Sequence, residues 1–199
     1  MLTRFLVGLC AGTALTLVLF VTPAAFSDET KTKTVEVKGE DFSLPLELPE
    51  GWKEVAPGPL QKAKFEVPAA EGDKGGCELV VFHFGKGGGG GVQANIDRWT
   101  KQFDAEERKL KISDGESKQG KYNLVDLSGT WNKMVAMKSA KLPGSRMLAV
   151  ILHSEKQGDF FIRLTGPEKS VTAHAKAFRA AFGADIEKEK ERTAEADKK

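Results

Sequence analysis

Apolar and polar residues alternate along most of this chain, and the period of the alternation marks the elements. Val35 and Val37 alternate with charged residues. Phe42, Leu44, Leu46 and Leu48 follow at period two, the spacing of a half-buried strand. Pro45 lies inside that run and lacks an amide hydrogen, which predicts an edge position. Pro49-Glu50-Gly51 reads as a turn, Trp52 and Val55 as a return strand, and Ala63, Phe65 and Val67 as another alternating strand. Residues 77–84 (CELVVFHF) are apolar on both faces: Cys77, Leu79, Val81 and His83 share one, Val80, Phe82 and Phe84 the other. Such a strand belongs in the middle of a sheet covered on both sides. The period then lengthens. Val92, Ile96, Trp99 and Phe103 form the single apolar stripe of an amphipathic helix over 92–103.

Residues 104–113 are charged and read as a surface connector. A long hairpin turning at Gly120 is expected over 116–131, with Val125, Leu127 and Trp131 on one face. Residues 132–145, with Met134, Met137 and Pro143-Gly144, read as a loop at the upper end of structureless lengths. Residues 146–153 are apolar on both faces and predict a second central strand, with 159–165 pairing back beside it. Gly166-Pro167-Glu168 opens a last helix, whose stripe is Val171, Ala175, Phe178 and Phe182 and which Gly183 ends. The order strands, helix, strands, helix implies an α+β fold, a mostly antiparallel central sheet with helices packed on it. The expected divisions are a flexible leader at 28–34, one globular domain over 35–183 and a charged flexible tail at 184–199.

The first 27 residues stand outside that pattern. Arg4 precedes an apolar run over 5–21, Pro23 breaks it, and Ala25-Phe26-Ser27 offers small residues for cleavage. This is the layout of a secretory signal peptide, with an uncleaved anchor as the alternative. It predicts an exported protein, periplasmic or extracellular, with no stable membrane span once the signal is cleaved. The net charge of +2 is near neutral for 199 residues and argues against nucleic acid as a partner. Of two cysteines, Cys10 lies in the signal, so Cys77 is left as a lone thiol. It reads either as a reactive thiol or as a small buried hydrophobe on its strand.

Candidate chemistry is sparse. Gly85-Lys86-Gly87-Gly88-Gly89-Gly90 formally fits G-x-G-x-x-G between a strand and a helix, where backbone amides can cradle a phosphate. Five consecutive glycines, Gly87 to Gly91, match many patterns, and no Lys-Ser/Thr pair follows as a P-loop needs. The loop reads either as a flexible connector or as an anion or small-ligand contact, with Lys86, Gly87, Asn95 and Arg98 as candidate contacts. His83, His153 and His174 show no metal-ligand spacing, and no nucleophile elbow is present. Asp126 is a carboxylate within an apolar alternation. No catalytic residue, cofactor or metal is expected.

Residues 42–52 (FSLPLELPEGW), Phe84 to Gly91 running into Asn95-Ile96-Asp97-Arg98-Trp99, and 160–167 (FFIRLTGP) running into a C-terminal helix carry a resemblance. Over about residues 40 to 183 the chain resembles small exported bacterial proteins related to the PsbP-like and Mog-type α/β/α sandwich. The resemblance implies one sandwich domain, no catalytic activity, and a role as an adaptor or assembly subunit. The expectation is a non-enzymatic domain binding a protein or an envelope component, with a small-ligand module at the glycine loop 85–91 as the alternative.

Overall fold

The computed structural model of the protein describes residues 31–135 and 138–192. Strands β1 (Thr32–Lys38) and β2 (Ser43–Pro49) pair as a separate antiparallel ribbon. Then come β3 (Lys53–Val55), β4 (Ala63–Val67), β5 (Cys77–His83), helix α1 (Val92–Thr100), β6 (Lys109–Ser117), β7 (Gly120–Val135), β8 (Lys138–Leu152), β9 (Phe160–Pro167), helix α2 (Glu168–Ala181) and β10 (Ala184–Glu191). The last eight strands form one sheet in the order β10-β6-β7-β8-β9-β5-β4-β3, antiparallel at each pairing. The fold is α+β. The two doubly apolar runs take interior places, β5 between β4 and β9 and β8 between β7 and β9.

The two faces of the sheet are covered unequally. On the first, α2 and the β1–β2 ribbon bury Leu79, Val81, Leu124, Leu148, Val150, Ile162 and Leu164. The α2 stripe supplies Val171, Phe178 and Phe182, all fully buried, each contributing about 1.5–3 kcal/mol. On the second face, α1 sets Ile96, Trp99 and the following Phe103 over Val125, Leu127, Met147, Ala149 and Ile151. That helix is short: its cluster reaches Phe161 of β9 and Phe82 of β5, and β3 and β4 lie outside it.

Four expectations need correction. The leader is strand from Thr32, because backbone pairing with β2 needs no apolar side chain, and Thr34 also bonds Glu47 at 2.6 Å. The connector 104–113 is strand from Lys109. It reads as polar because β6 lies near the sheet's rim and its only buried residue is Gly115. The loop 132–145 is the end of a hairpin: β7 and β8 stay paired from Trp131/Leu142 to Val135/Lys138 after both have left their outer neighbours. The tail is strand β10 through Glu191, paired with β6 across a register shift. What orders it is Glu189, which accepts two bonds from Arg179 of α2 (2.8 and 2.9 Å) and one from the Tyr122 hydroxyl (3.0 Å). The segment read as a signal peptide, residues 28–30 of the leader and residues 193–199 lie outside the described residues.

Candidate functional site

The uncovered half of the second face is built from alternate positions of four strands. Antiparallel register sets Lys53 of β3 beside Glu66 of β4, Glu66 beside Glu78 of β5, and Glu78 beside Thr165 of β9. One step along, Lys64, Val80 and Arg163 form the next row. Polar side chains occupy these places because no helix seals them.

The end of the β7–β8 hairpin stands over this surface as an arm and closes a cleft of about 750 Å³. Trp131, Lys133, Leu142 and Pro143 of the arm line it, together with Lys53, Lys64, Glu66, Cys77, Glu78 and Thr165 of the sheet. The arm is fixed at its base. Phe103 bridges to Trp131, Asp104 N–H donates to the Thr130 carbonyl (2.9 Å) and Asn132 N–H to the Gln102 carbonyl (2.7 Å). The Asp104 carboxylate accepts from Lys141 (2.9 Å) and Asn132 (2.7 Å). Those two hydrogen bonds hold its carboxyl below the usual carboxylate range.

The cleft lining carries Lys53, Lys64 and Lys133 against Glu66 and Glu78. Glu78 faces Lys64 at 3.0 Å and Lys133 at 3.9 Å, so its charge is already balanced. Lys133 also sits 5.2 Å over the Trp131 ring, and Arg163 lies 5.6 Å over Phe82. Two buried polar atoms in and beside the cleft have no hydrogen-bond partner among the described residues: Thr165 Oγ1, on a residue of the lining, and Arg163 Nε, on the next row of the sheet and outside the lining. Burial pulls the Arg163 guanidinium below its ordinary value, against the opposing charge of Glu78.

The sequence candidates lie elsewhere, except for Cys77. Asn95 is 2% exposed and stitches the glycine loop to α1. Its Nδ2 donates to the carbonyls of Gly89, Gly90 and Gly91 (3.0, 3.2 and 3.0 Å), and its Oδ1 accepts from Arg98 (2.8 Å). Both candidates are therefore engaged within the protein. Lys86 and Gly87 are exposed, and none of the four lines the cleft. The loop is packed: Gly89, at φ +84°, presses its α-carbon toward the Phe161 ring, where a Cβ would come within 2.4 Å. Cys77 lines the cleft but is 5% exposed, and burial, then the charge of Asp73, pushes its thiol up to about 12. The reactive form is the thiolate, so this environment fits the small buried hydrophobe. Asp126 is paired with Arg146 at 2.6 and 2.9 Å. Among the described residues no three His, Cys, Asp or Glu side chains gather as a metal-ligand set.

Lys53, Lys64, Glu78, Lys133 and Arg163 were not singled out by the sequence reading. A signal for two of them was present: Glu78 and Arg163 each interrupt an apolar run that becomes an interior strand.

No family model and no curated protein matches the chain. Two solved structures share its outline. One is the solution structure of cyanobacterial PsbP (CyanoP) from Synechocystis, 10% identical, covering 81% of this chain and 95% of that one at a TM-score of 0.45. The other is the crystal structure of a Pseudomonas aeruginosa protein of unknown function, 14% identical, covering 74% of this chain and 92% of that one at a TM-score of 0.41.

Proposed function

We propose that this chain is an exported, non-enzymatic binding module whose cleft receives an extended acidic segment of a partner protein. The cleft beside the arm carries the reading. It offers an apolar wall of Trp131, Leu142 and Pro143 with Lys53, Lys64 and Lys133 around it, the aromatic and cationic mix that anchors protein contacts. The lining carries one more cation than anion, Lys53, Lys64 and Lys133 against Glu66 and Glu78, which favours an acidic partner. Glu78 is already neutralised, and residues 127–154, which include the whole arm, contain no Asp or Glu. Export rests on the N-terminal pattern. Among the described residues no helix is long and apolar enough to cross a membrane.

The test is site-specific photo-crosslinking in the full chain, with the crosslinker at Leu142 in the cleft wall or at Leu60, which is 68% exposed and does not line the cleft. A single adduct is expected from position 142 alone. The captured protein, once purified, should bind the chain with an affinity that falls as salt rises. Equal labelling from both positions would remove the cleft from the reading. Turnover in a hydrolase panel, abolished by one polar substitution, would remove the non-enzymatic role.

A further inference from the structure

We infer that the segment received by the cleft binds as an added strand, pairing its backbone with the open edge of the arm at residues 138–141. The inference deepens the cleft reading above and rests on it. Strand β9 stops pairing with β8 at Pro167, opposite Ser145, while β8 runs on outward in the arm. There β8 has β7 on one side and, among the described residues, no strand on the other. The open side is the side of β9, where the cleft lies: Thr165, Gly166 and Pro167 at the end of β9 line it, and so do Leu142 and Pro143 where the edge begins. The opposite edge of the arm is capped at its base, since Phe103 bridges to Trp131 and Asn132 N–H donates to the Gln102 carbonyl. The Leu142 carbonyl accepts from the Ser145 hydroxyl at 2.9 Å, which leaves the outward-turned groups of 138–141 for a partner. Amides and carbonyls along an open edge are a template for another extended chain.

Charge decides what that chain can be. Residues 129–145 contain Lys133, Lys138 and Lys141 and no acid. A second copy of the arm would bring lysines against lysines, and like charges facing each other across strands repel. Lysines guard an edge against self-association in this way. The same lysines favour an incoming strand that carries acids. On the sheet side of the cleft, Lys53 is exposed, lines the cleft and makes no ion pair among the described residues. Lys64, by contrast, is held by Glu78 at 3.0 Å. Lys53 is therefore the cation open to an acidic side chain turned into the cleft. Trp131 and Leu142, opposite each other in register, give apolar neighbours to the residues between the acids. The occupant is an extended peptide with acids at alternate positions and β-branched residues between them, which suit a strand.

The probe is a labelled hexapeptide of alternating glutamate and valine, (Glu-Val)3, titrated onto the full chain by fluorescence anisotropy. Alternate residues of a strand turn their amides to opposite sides, so an added strand uses one set only. One peptide is methylated at its glutamate amides and another at its valine amides. One of the two should bind about tenfold or more weakly than the parent, and the other nearly as well as the parent. (Gln-Val)3 should bind several-fold more weakly than (Glu-Val)3, and (Lys-Val)3 should not bind. Lys53→Met, at an exposed position, should weaken (Glu-Val)3 several-fold. Hydrogen exchange at 138–141 should slow on adding (Glu-Val)3 and stay unchanged at 85–91. Equal affinity of the two methylated peptides, no binding of the parent, unchanged exchange at 138–141, or wild-type affinity in Lys53→Met overturns the inference. So does a dimer of the free chain with 138–141 already protected, because the occupant is then a second copy. An adduct from position 142 together with equal affinity of the methylated peptides would keep the cleft reading and strike the strand pairing alone.

Discussion

The Asn95 side chain holds the glycine loop, and three substitutions can measure how firmly. Its Nδ2 carries two hydrogens but faces three carbonyls at 3.0 to 3.2 Å, so two full bonds are shared among three acceptors. Its Oδ1 accepts one charge-assisted bond from Arg98. Asn95→Ala removes all of these. At about 1 kcal/mol per bond, with part of the exposed loop recovering water, the loss is about 2–3 kcal/mol. Asn95→Asp keeps the shape and can still accept from Arg98, but it turns an oxygen toward the three carbonyls. Its expected loss is larger, about 3–4 kcal/mol, because a buried donor site now holds an acceptor. Asn95→Gln, one methylene longer, should fall between wild type and Ala. Urea unfolding reads this directly. With a slope near ~2 kcal/mol per molar, the Ala variant's midpoint drops by roughly 1–1.5 M. Limited proteolysis between residues 85 and 91 should accelerate in parallel. An Asp variant as stable as wild type, or milder than Ala, would refute the stitch.

Gly85 and Gly89 both have left-handed backbones (φ +77° and +84°), so an alanine costs each about 1–2 kcal/mol. Only at Gly89 does the new Cβ meet the Phe161 ring, so Gly89→Ala should be the worse by about 1–3 kcal/mol in the same urea assay. Glu189→Ala strips Arg179 and Tyr122 of their shared partner. It should cost about 2–4 kcal/mol and abolish hydrogen-exchange protection along β10, and retained protection would mean that another contact orders the strand. Burial, then the charge of Asp73, pushes the Cys77 thiol from 9.0 up to about 12, so its contribution is complete below pH 9 and fades as pH climbs toward 12. By pH 10 the wild type should have lost about 1 kcal/mol more than Cys77→Ala has, relative to pH 7; equal losses would place the thiol in solvent.

The sheet and its helices were legible because burial leaves a period in the sequence. Val92 to Phe103 and Val171 to Phe182 declare their buried stripes outright, and Cys77, Leu79 and Val81 pack on the first face as their spacing predicts, while on the other face Phe82 is part-buried and Phe84 is exposed. β10 left no such trace. It is held by backbone pairing, surface ion pairs to β6 and the part-buried Glu189, which looks like any other acid in an alternating run. The arm was hidden for a related reason: two strands that bury little need no apolar alternation. The cleft was harder still. Its residues come from six strands scattered over the chain, and only register brings them together. Asn95 shows the reverse problem. Its proximity to the glycine loop was legible, but a polar residue beside a loop looks the same whether it serves a ligand or the loop's own carbonyls.

The strand order has a consequence for how the chain reaches its folded state. Strands β6 to β9 form a meander of consecutive neighbours, so each can pair as soon as the next is made. Strands β3, β4 and β5 join the sheet only through β5 against β9, where Glu78 meets Thr165 across nearly half the chain. Loop closure over that distance is slow compared with hairpin formation. Synthesis therefore delivers first the half that must wait longest, with Leu79, Val80 and Val81 unshielded in the interval. The meander is the natural nucleus, and β9 is the seam along which the earlier half is finally sewn to the later one.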